Sequence, residues 1–519
     1  MTEVKKVGSG LDASSNKRPT NWVTPTLGEV YTVVGGGTPS TEKADYWGTG
    51  TPWVTSADIY GVRDIKPRKQ VTQAGIENST TQVVPHKTLL VVTRVGLGKI
   101  AITETETCFS QDVQGLIQRS DLIAPEFSLY FLSYELQILK HQGRGTTISG
   151  ITKKQLTDLE FPLPPYKEQQ RIVAKIEELF SELDKGVENL RTAQQQLKVY
   201  RQALLKHAFE GKLTADWRAQ NPDKLESAEA LLARIQKERE ARYQQQLQDW
   251  EANGKTGSKP KALRALPPLT EAELAELPEL PRGWVYVKAE AICDFITKGT
   301  TPSKELLSDG RGEVPFIKVY NLTKTGALDF TISPTFVSRE THNGFLGRSK
   351  VFPGDVLMNI VGPPLGKVSV VPDHHPEWNI NQAIAIFRSD LIKSKVLAAF
   401  LASETTVRRT MRKSKATAGQ FNLTLEICRE IVVPVCCISE QIQLAQEIEE
   451  KSSILDQLEQ TITHSLQQAD VLRHSILKEA FSGQLVPQDP NDEPASVLLE
   501  RIRAERAAQP KARGRKAKA

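Results

Sequence analysis

The chain is written twice. The segment Glu168–Leu213 aligns without a gap on Glu440–Leu485, at a constant offset of 272 positions. Both copies open Glu-Gln and close Ala-Phe-x-Gly-x-Leu, at Ala208–Leu213 and Ala480–Leu485. A related stretch follows each closure, LLARIQKER from Leu231 and LLERIRAER from Leu498. Self-similarity of this kind restricts the fold more than any single motif, because both copies must adopt one structure. The regions in front echo each other more faintly. Thr38-Pro39-Ser40 answers Thr301-Pro302-Ser303, and Pro52-Trp53-Val54 answers Pro315-Phe316-Ile317, both at offset 263. Asn21-Trp22-Val23 answers Gly283-Trp284-Val285, and Gly96-Leu97-Gly98-Lys99 answers Gly362-Pro-Pro-Leu-Gly366-Lys367. The order is globule, long helix, globule, long helix.

The repeated segments carry a sustained heptad. Ile176, Leu183, Leu190, Leu197 and Leu204 recur every seven residues in the first, and Ile448, Leu455, Ile462, Ala469 and Ile476 in the second. Ile172, Leu179 and Val187, and Leu444, Leu458 and Leu466, supply the other seam position. This is the pattern of a coiled coil. Gly211 and Gly483 stand where a helix-ending glycine is expected. A helix of about 43 residues, roughly 65 Å long, cannot bury its stripe on a small globule alone, so the copies are expected to pair. Antiparallel pairing keeps the connecting segment short and implies a pseudo-twofold relation.

The globules read as mixed α and β. Buried strands are expected at Thr88–Val92, Val356–Met358 and Ala383–Phe387, with one helix in each globule, near Pro125–Gln142 and Ile392–Met411. The expected division is a polar arm at 1–20, globules at 21–165 and 283–438, long helices at 166–212 and 439–484, a helical linker at 213–282 and a C-terminal segment at 485–519. In the linker, Ser227–Trp250 reads as a charged helix. Thr270-Glu-Ala-Glu273 is a capping box opening a short helix to Leu277.

Several chemistries are excluded. The two Gly-Lys loops are too short for a phosphate loop and lack its Ser or Thr. His374 and His375 are adjacent and cannot share a helix face as metal ligands. The five cysteines form no C-x-x-C pair, which argues against a zinc ribbon or disulfide scaffold and for a reducing cytoplasm. No methyltransferase tetrapeptide or glycine-rich cofactor loop is present. The longest apolar run, Ile431–Ile438, is far short of the ~20 residues of a membrane span. The chain therefore reads as non-catalytic, with no metal and no cofactor of its own.

Net charge is only +5, from 67 Lys and Arg against 62 Asp and Glu in 519 residues, so a nucleic-acid surface must be local. The globules carry polar, glycine-rich loops with cations. Arg94, Lys99, Arg144, Thr146 and Thr147 are the candidates in the first. Lys298, Thr300, Lys318, Asn321, Lys367, Gln420 and Asn422 are those in the second. Lys and Arg hold phosphates, while Arg, Asn and Gln read base edges. The last nine residues, Lys511–Ala519, hold five cations and no acid, and read equally as a phosphate-binding or a solubilising tail.

The repeat order, the entry Pro162-Leu163-Pro164-Pro165-x-x-Glu168-Gln169 and the Ala-Phe-x-Gly-x-Leu exits together resemble the specificity subunit of Type I restriction–modification systems. The resemblance runs from about Asn21 to Arg506. The second entry, Pro434-Val-Cys-Cys-Ile-Ser-Glu440-Gln441, departs from the proline-rich form. The resemblance implies an α+β chain with two mixed α/β target recognition domains separated by two long antiparallel coiled-coil helices. Each domain would read one half of a split site on double-stranded DNA. The helices would set the spacing and dock two modification subunits, which bring S-adenosylmethionine and methylate adenine at N6. Two restriction subunits would add ATP- and Mg-dependent cleavage. A self-contained methyltransferase-nuclease and a coiled-coil scaffold without a DNA role are the rival readings.

Overall fold

A computed structural model describes residues 18–61, 64–94, 96–142, 150–256, 259–260, 267–323, 326–362, 365–418 and 422–508. The chain divides into two compact units, one of residues 1–191 and 463–519, the other of residues 192–462. Each of the two long helices, Tyr166–Phe209 and Ile438–Ser482, contributes a segment to both units.

In the first unit, beside a small hairpin of Ile59–Gly61 and Asp64–Ile65, the strands of the two larger sheets are β1 (Tyr31–Gly35), β2 (Trp47–Val54), β3 (Lys69–Val71), β4 (Leu89–Val92), β5 (Ile100–Ile102), β6 (Cys108–Phe109) and β7 (Val113–Gln118). One sheet runs β1-β7-β4-β5, antiparallel throughout. A smaller sheet runs β3-β2-β6, with β2 and β6 parallel. The sequence of β4 explains its place. Successive strand residues face opposite ways. Leu89 and Val91 join the core formed with the helix Pro125–Gln142, while Leu90 and Val92 join Val54 and Phe109 of the smaller sheet. A strand buried on both faces has to be apolar at every position.

The second unit repeats this plan. Its strands are β8 (Val285–Lys288), β9 (Phe295–Lys298), β10 (Ser308–Asp309), β11 (Val314–Ile317), β12 (Thr335–Val337), β13 (Val356–Asn359), β14 (Val368–Val370), β15 (Asn379–Ile380), β16 (Ile384–Arg388) and β17 (Val432–Val435). The main sheet runs β9-β16-β13-β14 and the smaller one β10-β12-β11-β15, again with one parallel pair, β11 and β15. β8 pairs with β17 at the globule's exit. The single helix expected near Ile392–Met411 is two, Ser394–Ala402 and Glu404–Ala418. Ser403 breaks it, because its hydroxyl accepts a hydrogen bond from the Thr406 amide (3.4 Å) and starts a new helix. Ser227 and Thr270 cap their helices through side-chain oxygens; the second, Glu271–Ala275, stops short of Leu277.

The long helices are antiparallel within each unit. In the first, Ile172 and Ile176 share a core with Ile476, Leu477 and Phe481, and Arg473 pairs with Asp184. In the second, Leu205 and Phe209 share a core with Leu444 and Ile448, and Arg201 pairs with Asp456 at 2.5 Å. The two ion pairs are copies of each other at offset 272.

Burial of the heptad positions is uneven. Ile176, Leu204, Ile448, Leu455, Ile462, Ala469 and Ile476 are buried, whereas Leu183, Leu190 and Leu197 are half-buried. Leu458 is 46% exposed and does not fill the seam as its spacing suggests. A single neighbouring helix covers only part of the apolar stripe on its partner.

The repeated sequence motifs are the fittings at the helix ends. Gln169 accepts from the Ala124 amide (2.8 Å) and donates to the Pro164 carbonyl (3.0 Å). Gln441 likewise accepts from the Lys393 amide (3.0 Å) and donates to the Cys436 carbonyl (2.9 Å). Each glutamine thus ties its helix entry to the globule in front, and Cys436 serves where the first copy has proline. At the exits Gly211 and Gly483 take φ of +68° and +77°. The next amides, of Lys212 and Gln484, bond back to His207 and Glu479, closing Schellman turns. A β-carbon at either glycine would lie 2.3–2.4 Å from Pro281 or Pro19, so these turns also require glycine for close approach.

Candidate nucleic-acid interface

The antiparallel pairing gathers four loops on one edge of each main sheet. In the first unit, β1 ends opposite the start of β7, as does β4, whose hairpin turn leads into β5. The parallel pair β2 and β6 ends at the same side. The edge is therefore made of the described residues of four loops, 36–46, 55–58, 93–94 with 96–99, and 110–112. In the second unit the corresponding described residues are 299–307, 318–321, 360–362 with 365–367, and 381–383. Of the described candidates, Arg94, Lys99, Thr300, Lys318, Asn321 and Lys367 fall within these segments, Lys298 ends the strand just ahead of one, and Asn422 lies outside them.

Their roles differ from one another. Lys99 donates to the Ser56 carbonyl (2.9 Å) and Lys367 to the Val319 carbonyl (3.5 Å), at equivalent positions of the two units. Both hairpin lysines thus pin the neighbouring loop while bringing a cation to the edge. Asn321 is a correction. It is buried, its carbonyl accepts from the Lys318 amide (2.9 Å), and its amide donates to Asp329 and Ile332 carbonyls (3.0 and 2.8 Å). With those groups spent inside the loop it has nothing to offer a base. The repeat explains the role: in the first unit Asp58 accepts from the Thr55 amide (2.8 Å) at the same place. Thr55, Arg68 and the Thr55 amide hold the Asp58 carboxyl below its ordinary value against the opposing effect of burial.

Arg94 is exposed, with Asp112 at 3.9 Å. Lys298 is exposed at the end of β9. Lys318 lies over the Tyr320 ring at 5.9 Å. Thr300 accepts from Arg348. Asn422 is exposed and bridges to Val361 beside the hairpin turn. Arg144, Thr146, Thr147 and Gln420 lie outside the described residues, as do the arm before residue 18 and the basic tail.

Sequence reasoning missed Gln111 and Gln382 on these edges, and Arg348, which reaches Thr300 of the second edge from the turn Gly347–Ser349. Gln111 and Gln382 are exposed in the short loops ahead of β7 and β16. Each meets the Thr-Pro segment of its unit. Thr38 bonds to the Gln111 side chain (2.5 Å), and Thr301 accepts from the Gln382 amide (3.2 Å). The pairing Ser110-Gln111 with Asn381-Gln382 was the available signal. Arg348 has no such echo.

Among the described residues no group of three or more His, Cys, Asp or Glu is placed to hold a metal. His374 and His375 meet the Trp378 ring edge to face, with centroids at 5.2 and 4.8 Å. Burial pushes the Cys108 and Cys428 thiols up to about 11 and about 12, so neither is a poised nucleophile. No described helix is long and apolar enough to cross a membrane.

Known proteins share this arrangement. Residues 19–191 match the family described as Type I restriction modification DNA specificity domain. The EcoDI specificity subunit of Escherichia coli is 23% identical over 511 residues, 95% of this chain and 97% of that protein. The StySPI specificity subunit of Salmonella potsdam is 41% identical over 92 residues, 17% of this chain and 20% of the other. A solved chain from work on complex assembly and conformational transition of the type I R-M system has the same fold. Its TM-score is 0.63 at 18% identity, over 90% of this chain and 100% of that one. Along most of its length the chain is therefore similar to Type I restriction enzyme specificity subunits, and residues 19–191 carry their DNA specificity domain.

Proposed function

We propose that each globule reads one half of a bipartite DNA target through its four-loop edge, without catalysing a reaction itself. The observation that carries this reading is the duplicated edge. Sheet order, the loop clasps at Asp58 and Asn321 and the hairpin lysines Lys99 and Lys367 recur, while the exposed loop residues differ. A common frame with divergent tips suits two readers of different sequences. Backbone amides and Lys or Arg would hold phosphates, and the long side chains would reach base edges.

The long helices would act as the spacer and the dock for two modification subunits, which bind S-adenosylmethionine and methylate adenine. Restriction subunits would supply ATP-dependent cleavage. Support for two equal docks comes from exposed apolar pairs at equivalent positions. Val199 and Tyr200 are 70% and 56% exposed in the second unit, and Val471 and Leu472 are 70% and 51% exposed in the first. Apolar residues repeated on an otherwise polar helix face mark a partner surface.

Replacing residues 21–160 by the corresponding segment of another specificity subunit tests the reading. Mapping methylated sites should show one half of the target changed and the other intact. A change in both halves, or in neither, rejects it.

A further inference from the structure

The two units differ sharply at one matched position beside these edges. Val84 bridges to Thr107 in the first unit and Val351 to Trp378 in the second. Three residues before each lies Thr81 or Arg348. Thr81 is buried and its hydroxyl donates to the Gly37 carbonyl at 3.0 Å. The residue matching Gly37 is Thr300, and Arg348 donates to its hydroxyl oxygen through Nε at 3.1 Å and Nη2 at 2.9 Å. The same two loop positions thus touch in both units. In the first the contact is a small buried hydroxyl, in the second an exposed guanidinium.

The geometry leaves that guanidinium ready for a ligand. Two of its five N–H groups are turned back onto Thr300. Both hydrogens of Nη1 and one of Nη2 remain. Among the described residues Arg348 has no carboxylate partner. Arg68 and Arg388 by contrast are held by Asp58 (2.6 Å) and Asp355 (2.7 Å). Arg348 also reaches the edge that carries the exposed Gln382, whose amide bonds to Thr301 next to Thr300. A fixed arginine fork with two free parallel donors matches the O6 and N7 acceptors of guanine in the major groove.

We infer that Arg348 specifies a guanine in the half-site read by the second globule, and that Thr300 is the positioning residue that aims it. This rests on the reading of each globule as the reader of one half-site. The first globule, with Thr81 at this place, makes no equivalent contact.

The test uses the full complex with its modification partner. Competition between duplexes altered one base at a time, together with mapping of methylated sites, gives the preference at every position. Arg348→Ala should relax one guanine in one half-site by between about 5-fold and about 150-fold, the range for a bidentate arginine–guanine pair. Arg348→Lys should relax the same position, since lysine lacks the fork. Thr300→Val should relax it less, and Thr300→Ser should restore it. Uniform weakening on all duplexes, with a shallower salt dependence and rescue by Arg348→Lys, would make Arg348 a phosphate contact and overturn the proposal. An unchanged bipartite motif in Arg348→Ala would overturn it while leaving the two-reader assignment standing. A wild-type complex with no bipartite motif would remove both.

Discussion

Glu168 and Glu440 hold the same place in the repeat, and both are sealed from solvent, yet they are neutralised differently. Glu168 accepts from Trp22 (3.0 Å), Gln488 (2.6 Å) and Asn21 (3.5 Å), all neutral donors. Glu440 accepts from Thr214 (2.7 Å) and from Arg218 through Nε and Nη2 (3.0 and 2.8 Å). The repeat therefore conserves a buried acceptor that ties helix entry to the neighbouring segment, but not the donor. One unit uses an ion pair where the other uses dipoles.

The largest expected effect separates the two. Arg218→Ala strands a buried carboxylate and should cost the second unit about 3–5 kcal/mol. Gln488→Ala removes one neutral donor of several and should cost the first unit about 1 kcal/mol. Hydrogen exchange read by peptide mass spectrometry under rising urea resolves the units separately. Equal costs would show that Glu440 is held by the helix end rather than by Arg218.

A second contrast lies at the helix exits. Phe481 is fully buried against Phe127 and Phe131, with centroids at 5.5 and 5.4 Å. Its repeat partner Phe209 touches the ring of Phe400 at 5.0 Å and retains slight exposure. Truncation of a buried phenylalanine to alanine costs about 3–5 kcal/mol. Phe481→Ala is expected at the upper end, and Phe209→Ala about 1–2 kcal/mol below it. The same exchange measurement checks the gap, and a reversed order would break the comparison.

The smallest effect is in pH dependence. Burial raises the Glu168 carboxyl above its ordinary 4.5, against the donors that lower it. The folded first unit then binds the proton more tightly than the unfolded chain does. That stabilisation is fully present below the unfolded value and is lost as pH rises through the folded one. Glu168→Gln should flatten this slope in the first unit only. A wild-type slope surviving in the variant would place its origin elsewhere.

Much of the fold was legible because one periodicity was written twice. The offset of 272, the heptads, Gly211 and Gly483, and the caps at Ser227 and Thr270 all act through neighbours in sequence. So did the all-apolar run at Leu89–Val92. The break at Ser403 was equally local, and the alternation of apolar residues across it concealed the cap. The candidate site was legible only as a set of loops. Asn321 is chemically suited to a base, and burial alone withdrew it. Its counterpart Asp58 carried the clue in a Thr-x-x-Asp and Lys-x-x-Asn pairing that was not aligned.

The sequence by itself thus determined the repeat and the helices, because heptads, caps and helix-ending glycines are short-range demands on the backbone. Tertiary structure alone decided which polar groups remain free. Whether a side chain is offered or spent depends on partners dozens of residues away. Arg348 meets Thr300 across 48 positions, and Thr81 meets Gly37 across 44. Such a distance leaves no pattern along the chain, and only the closing of the sheets brings those residues together.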